Sequence, residues 1–298
     1  MGIERFEPKY PGQVGSHTLR AWSNLSVEYK EMKTRIETRF EELRKTNSKG
    51  FIAYITAGDP TLIDTEDLVL RLEDVGVDIV ELGVPFSDPL ADGRINQESA
   101  TRALNAGATY EGILQCVSRI RKKSDIPLMF YSYLNLLLAR GFDHTIKITA
   151  RAGLDGLLIL DLPVEEDGEY LTSIRKHHMN NICLVTPTSP ERRIRRIVAR
   201  SSGFVYCVSR EGVTGIQRQL GNSAVSLVRR TKRLTSLPVA LGFGISTPAQ
   251  ARSAAEASDA VVVGSAIVQK FADAGRNKRA RTEAARWVGK LVNAVKKV

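Results

Sequence analysis

The sequence predicts an α/β fold: a single (β/α)8 TIM barrel with one extra N-terminal helix. Three observations predict it. Across the 298 residues, eight short apolar runs each give way to a helical pattern. The runs are apolar throughout rather than alternating, as in a parallel sheet covered by helices. Glycine-rich turns follow the seventh and eighth runs, whereas a doubly wound open sheet, the structural alternative, would put its phosphate-binding glycines after the first strand.

Residues 1–31 lack periodicity, contain the turn-like YPGQVGSH, and read as an N-terminal extension to a barrel domain over 32–298. From about Ser26 to Lys45, Met32, Ile36, Phe40 and Leu43 recur near helical spacing. FIAYITA (51–57) is the first strand, stopped by GDP, and Leu62–Asp74 is helical. VDIVEL (77–82) is the second strand, followed by helices near 96–106 and 110–123 with Gly107 between them. IPLMFYS (126–132) is the third, with helical runs to Ala152. GLLILDL (156–162), stopped by Pro163, is the fourth, and Glu165–His177 is helical. NICLVT (181–186) is the fifth, and Ser189-Pro190 beyond it suits a helix start. GFVYCVS (203–209), LPVALGFG (237–244) and DAVVVGS (259–265) complete the eight. A helix from about Thr247 separates the last two, and basic helices close the chain.

At 43% hydrophobic, the chain can bury a large core. No apolar run approaches the ~20 residues that cross a bilayer. Residues 1–31 carry prolines, four acids and no apolar core, which predicts neither a secretory signal nor a transit peptide, and so a cytoplasmic protein. Cys116, Cys183 and Cys207 are far apart in apolar segments, the pattern of buried thiols rather than of disulfides or a zinc site. The net charge of +10 concentrates in residues 189–235, with eleven basic residues against two acids, and 270–298, with nine against two. There basic and apolar residues alternate, as in ERRIRRIVAR. That pattern predicts solvated helix faces, with attraction of an anionic substrate or acidic partner as the second reading. No stacking platform, zinc finger or helix-turn-helix supports nucleic-acid recognition.

Two places carry candidate chemistry. The turns GFGIS (242–246) and VGSAIV (263–268) offer Gly244, Ser246, Gly264 and Ser265. Loops after strands seven and eight of a barrel often cradle a phosphate with backbone N–H groups and a helix N-terminus. SREGVTG (209–215) adds Gly212 and Gly215 on the same face. The second place is VELGVPFSDPLADG (80–93). Glu81, at a strand end beside a hydrophobic barrel mouth, can have its pKa raised and donate a proton. Asp92, in a wetter loop, would stay ionised and stabilise positive charge or accept a proton. The plain alternative is that Glu81 ion-pairs at the rim while Asp88 and Asp92 cap turns. His17 falls in the extension and His144, His177 and His178 in outer helices, so neither a histidine triad nor a metal site is supported.

ELGVPFSDPLADG, preceded by FIAYITAGDP and followed by REGVTG, GFGIS and VGSAIV, resembles the tryptophan synthase alpha chain family, in order and spacing, from about Met32 to the C-terminal helix. The resemblance implies retro-aldol cleavage of indole-3-glycerol phosphate to indole and glyceraldehyde 3-phosphate. It implies that Glu81 and Asp92 are the catalytic pair. Glu81 would protonate indole C3 and then help deprotonate the glyceryl hydroxyl, while Asp92 would interact with the indole N–H. Tyr206 would lie near the substrate, Thr214 and Gly215 in a mobile closing loop, and Phe243, Gly244, Gly264 and Ser265 at the phosphate or indole. It also implies an alpha2beta2 complex with a beta chain, with Asp88 at the interface, and pyridoxal phosphate in that partner and no cofactor in this chain. The chain alone is then expected to be a weak enzyme that the beta chain activates. A stand-alone lyase and a non-catalytic activator of a beta chain are the alternatives.

The chain departs from the family pattern at several positions. Arg94 replaces the usual proline of the acidic loop, Asn96 an apolar residue, and Leu136 a proline after strand three. Tyr54 and Tyr131 stand where smaller or purely apolar pocket residues are expected. Loss of the loop proline predicts a more mobile acidic loop, because proline restricts its own φ and the residue before it.

Overall fold

A computed structural model describes residues 33–208, 222–242 and 244–298. The extension over 1–31, and with it Met32, Thr214, Gly215 and Phe243, lies outside the described residues. Among the described residues the predicted N-terminal helix is α1 (Arg35–Lys45), opened by a Thr34–Glu37 capping box. Strand and helix then alternate: β1 (Gly50–Thr56), α2 (Leu62–Asp74), β2 (Ile79–Gly83), α3 (Arg94–Asn105), α4 (Tyr110–Arg121), β3 (Leu128–Ser132), α5 (Leu134–Leu138), α6 (Phe142–Ala152) and β4 (Gly156–Ile159). They continue through α7 (Gly168–Lys176), β5 (Asn180–Asn181), β6 (Cys183–Val185), α8 (Glu191–Arg200), β7 (Val205–Val208), α9 (Asn222–Lys232), β8 (Val239–Gly242), α10 (Pro248–Ala257), β9 (Ala260–Val263), α11 (Ser265–Ala274) and α12 (Lys278–Lys296).

Every strand pair is parallel, in the order β5-β4-β3-β2-β1-β9-β8-β7-β6. The strand count is nine where eight are predicted, because the fifth predicted strand changes partner midway. Asn180 and Asn181 pair with β4, the Ile182 N–H still donates to the Leu157 carbonyl at 2.9 Å, and Cys183 to Val185 pair with β7. The two ends of the sheet are therefore halves of one stretch, and the barrel closes there.

Alternate residues along each strand face inward. Ile52, Ile79, Met129, Leu158, Ile182, Phe204, Ala240, Ala260 and Val262 form the interior cluster, and Ile36, Phe40 and Leu43 of α1 pack onto it from the N-terminal end. The Phe40 and Phe204 rings lie 5.6 Å apart, so the extra helix plugs the barrel floor. The outward residues, such as Phe51, Val80 and Leu128, join the larger core beneath the helices.

The basic run ERRIRRIVAR folds as the charge pattern suggests, whereas Arg281 of the second basic stretch is buried. In α8, Ile194 and Ile197 are buried, while Arg193 and Arg196 pair with Glu165, Arg195 with Glu191, and Arg200 with Asp167. Cys116 and Cys207 are buried free thiols, and Cys183 is half-buried. Among the described residues no helix is long and apolar enough to cross a membrane.

Candidate active site

Register places Glu81 inside the barrel mouth. It follows inward-facing Ile79 by two residues, and its Cα partners are Tyr54 on β1 and Met129 on β3. The side chain is only 1% exposed, and Oε1 has no hydrogen-bond partner among the described residues. A buried carboxyl without a cation favours its neutral form. Burial, reinforced by the nearby charge of Asp92, pushes the Glu81 carboxyl up to about 8. The rim ion pair considered for Glu81 is absent among the described residues; its surroundings are those of a proton donor.

Asp92 lies half-buried in the loop between β2 and α3, where two tyrosines hold it. The Tyr133 hydroxyl donates to Oδ2 at 2.7 Å and the Tyr131 hydroxyl to Oδ1 at 3.0 Å. The Asn96 amide reaches Oδ1 more distantly, at 3.4 Å. The backbone N–H of Ala91 donates to the Tyr133 hydroxyl at 3.1 Å, and Phe86 stacks on the Tyr133 ring at 5.1 Å. Arg94, at the first position of α3, is exposed and ion-paired with Glu98 at 2.7 Å. Asp88 is exposed in the same loop, beside Leu90, which is 90% exposed.

The mouth around Glu81 is lined by tyrosines. Tyr54 meets Tyr131 edge-on at 5.0 Å between ring centres. Tyr206 rises from β7, and a β-carbon on neighbouring Gly242 would sit 2.5 Å from its hydroxyl. Gly83 likewise leaves room for Tyr54, whose hydroxyl a β-carbon there would overlap. Burial is the largest cause raising the hydroxyl pKa of Tyr54, Tyr131 and Tyr206, and the charge of Asp92 or Glu81 adds to it. These phenols therefore stay protonated and can act as donors.

Across the mouth, Gly264 occupies the N-cap of α11 and provides no side-chain cap, and Ser265 opens the helix with its side chain exposed. The first turn of α11 carries no acid. That end has free N–H groups and a favourable dipole for an anion. By contrast, Thr247 and Gln250 cap α10, and the Ser246 N–H is already bonded to the Gln250 side chain. Of the four predicted donors, then, Gly264 and Ser265 keep an open helix end. Gly244 is exposed, with open space around its α-carbon. Gly212, Thr214, Gly215 and Phe243 lie outside the described residues. Tyr133 was not anticipated as a site residue; its adjacency to Tyr131 in FYSYLN was the available signal.

The family model for the tryptophan synthase alpha chain matches residues 40–296. The chain is 43% identical over 265 residues to the tryptophan synthase alpha chain of Opitutus terrae, covering 89% of this chain and all of that one. It is 47% identical over 238 residues to that of Caldanaerobacter subterraneus subsp. tengcongensis, covering 80% and 90%. Among solved structures it is similar to tryptophan synthase subunit alpha from Legionella pneumophila, with a TM-score of 0.82 at 30% identity over 89% of this chain and 99% of that chain. A chain of M. tuberculosis tryptophan synthase in an aminoacrylate- and BRD0059-bound form matches with a TM-score of 0.80 at 29% identity, over 89% of this chain and 99% of that one.

Proposed function

The chain belongs to the tryptophan synthase alpha chain family, and from that premise we propose that it is a carbon–carbon lyase that cleaves indole-3-glycerol phosphate to indole and glyceraldehyde 3-phosphate. One observation carries the reading. A buried carboxyl with an unpaired oxygen and a pKa near 8 shares the barrel mouth with a carboxylate fixed by two phenols.

Neutral Glu81 gives its proton to indole C3, making the ring an indolenine cation. Asp92 accepts the indole N–H and stabilises the positive charge on nitrogen. Glu81, now a carboxylate, takes the proton of the glyceryl hydroxyl adjoining the ring. The O–H electrons form the aldehyde, and those of the breaking C–C bond return to the indole. The proton that Glu81 lost is regained, so the carboxyl is ready for another turnover. Tyr206 lines the indole side; Thr214, Gly215 and Phe243, outside the described residues, are assigned to the substrate by the family resemblance alone. Gly244, Gly264 and Ser265 receive the phosphate, where the open end of α11 supports anion binding.

The reading assigns residues 32–298 to one catalytic domain and 1–31 to an extension. It needs no cofactor in this chain. The beta chain, carrying pyridoxal phosphate, joins it in a cytoplasmic alpha2beta2 complex and receives the indole. Exposed Asp88 and Leu90 in the acidic loop suit that interface. Glu81→Gln tests the assignment. Indole release should fall about 10²–10⁴-fold while the variant still binds and activates a beta chain. A variant that releases indole at the wild-type rate would refute the catalytic assignment.

A further inference from the structure

We propose that Tyr131 is a positioning residue for Asp92, its hydroxyl tying the acidic loop to the barrel in working geometry before a partner binds. The inference rests on the catalytic reading of Asp92 above and concerns how that site is regulated.

Two phenols hold Asp92, one from within β3 and one from the N-cap of α5 just past its end. Tyr133, the N-cap of α5, meets the loop at two further points, the Ala91 N–H and the face of Phe86. Tyr131 belongs to the barrel wall. It lies in β3, its carbonyl accepts the Val84 N–H at 2.9 Å, and its ring is held edge-on by Tyr54. The bond from Tyr131 to Oδ1 therefore couples the loop to the strand itself, while the bond from Tyr133 to Oδ2 couples it to the start of α5 just beyond that strand. Donors on separate oxygens fix both the place of a carboxylate and the rotation of its plane. Ionised carboxylates have about four acceptor sites, so an indole N–H can still be received.

This anchor acts where the sequence loosens the loop. Arg94 stands at the first turn of α3 in place of the family's proline and points its charge to solvent. Ordering a catalytic loop is commonly a gated step. A residue that holds Asp92 in advance reduces what a partner must supply, so the chain alone should work closer to its full rate.

Tyr131→Phe keeps the ring against Tyr54 and removes only the hydroxyl. Hydrogen bonds to charged groups carry enough energy that kcat of the chain alone should fall about tenfold, with KM and thermal midpoint unchanged. Adding the beta chain should then raise kcat of the variant by a larger factor than it raises wild type. A purely structural role would leave kcat intact or lower the thermal midpoint. If wild type is active and Tyr131→Phe retains its kcat alone and its stimulation factor, this inference is overturned while the catalytic reading stands. If wild type releases no indole alone or with the beta chain, the catalytic reading fails and this inference falls with it.

Discussion

The hydroxyl of Tyr54 lies where a β-carbon on Gly83 would have to go. The two residues are diagonal neighbours on β1 and β2, and the ring is buried against Tyr131, so it has little freedom to retreat. Gly83→Ala should therefore destabilise the fold by about 1–3 kcal/mol, the usual cost of overpacking. Denaturant unfolding checks this, and Tyr54→Leu in the same chain should recover most of the loss, a coupling that a double-mutant cycle reads directly.

Glu81 ties activity and stability to pH in a predictable sense. Its folded pKa of about 8 lies above the ordinary 4.5. Between those values the unfolded chain has released the proton that the folded chain keeps. Stability from this group is thus complete below about pH 4.5 and is lost as pH rises towards 8. Glu81→Gln removes the titration, so it should be the more stable protein above pH 8, by an amount on the order of 5 kcal/mol, and near parity at pH 4.5. In wild type, kcat/KM should decline above about pH 8 as the donor loses its proton. Equal pH dependence of unfolding in the two proteins would contradict this account of Glu81.

Tyr170 makes a separate stability prediction. Its hydroxyl is buried and has no hydrogen-bond partner among the described residues, and it lines a cavity of about 400 Å³ with Asp167 and Cys183 between β4 and β6. An unsatisfied buried hydroxyl costs about 1–3 kcal/mol. Tyr170→Phe should therefore be neutral or stabilising, whereas most buried large-to-altered substitutions destabilise. A clear drop in the thermal midpoint would show that the hydroxyl is bonded in solution.

Much of this was legible in the sequence, for physical reasons that differ by element. Apolar runs such as Phe51–Ala57 locate strands because parallel strands are buried on both faces. The split at Ile182 was not legible, since a change of hydrogen-bonding partner leaves the side-chain pattern untouched. The raised pKa of Glu81 followed from one acid within an apolar strand. The clamp on Asp92 did not, because Tyr131 and Tyr133 reach it across 39 and 41 positions of chain. Tyr131 is visible in the sequence only as an oversized pocket residue. Its partner is set by the strand register that brings β3 beside β2.

The open end of α11 gives a test of phosphate binding that leaves the acids alone. Ser265→Asp would place a carboxylate at the first position of the helix, which favours the helix dipole and opposes a phosphate. The variant should keep its thermal midpoint while KM for indole-3-glycerol phosphate rises at least about tenfold, roughly 1.4 kcal/mol of lost binding. An unchanged KM would move the phosphate elsewhere.

The central claim is that this barrel cleaves indole-3-glycerol phosphate and that a beta chain regulates the step. It is tested most directly by following indole release from that substrate by the purified chain, alone and with its beta chain. The account predicts measurable release by the chain alone, rising when the partner is added. Absence of indole in both conditions, with beta-chain activity still enhanced, would contradict it and leave a barrel that regulates its partner without performing the cleavage.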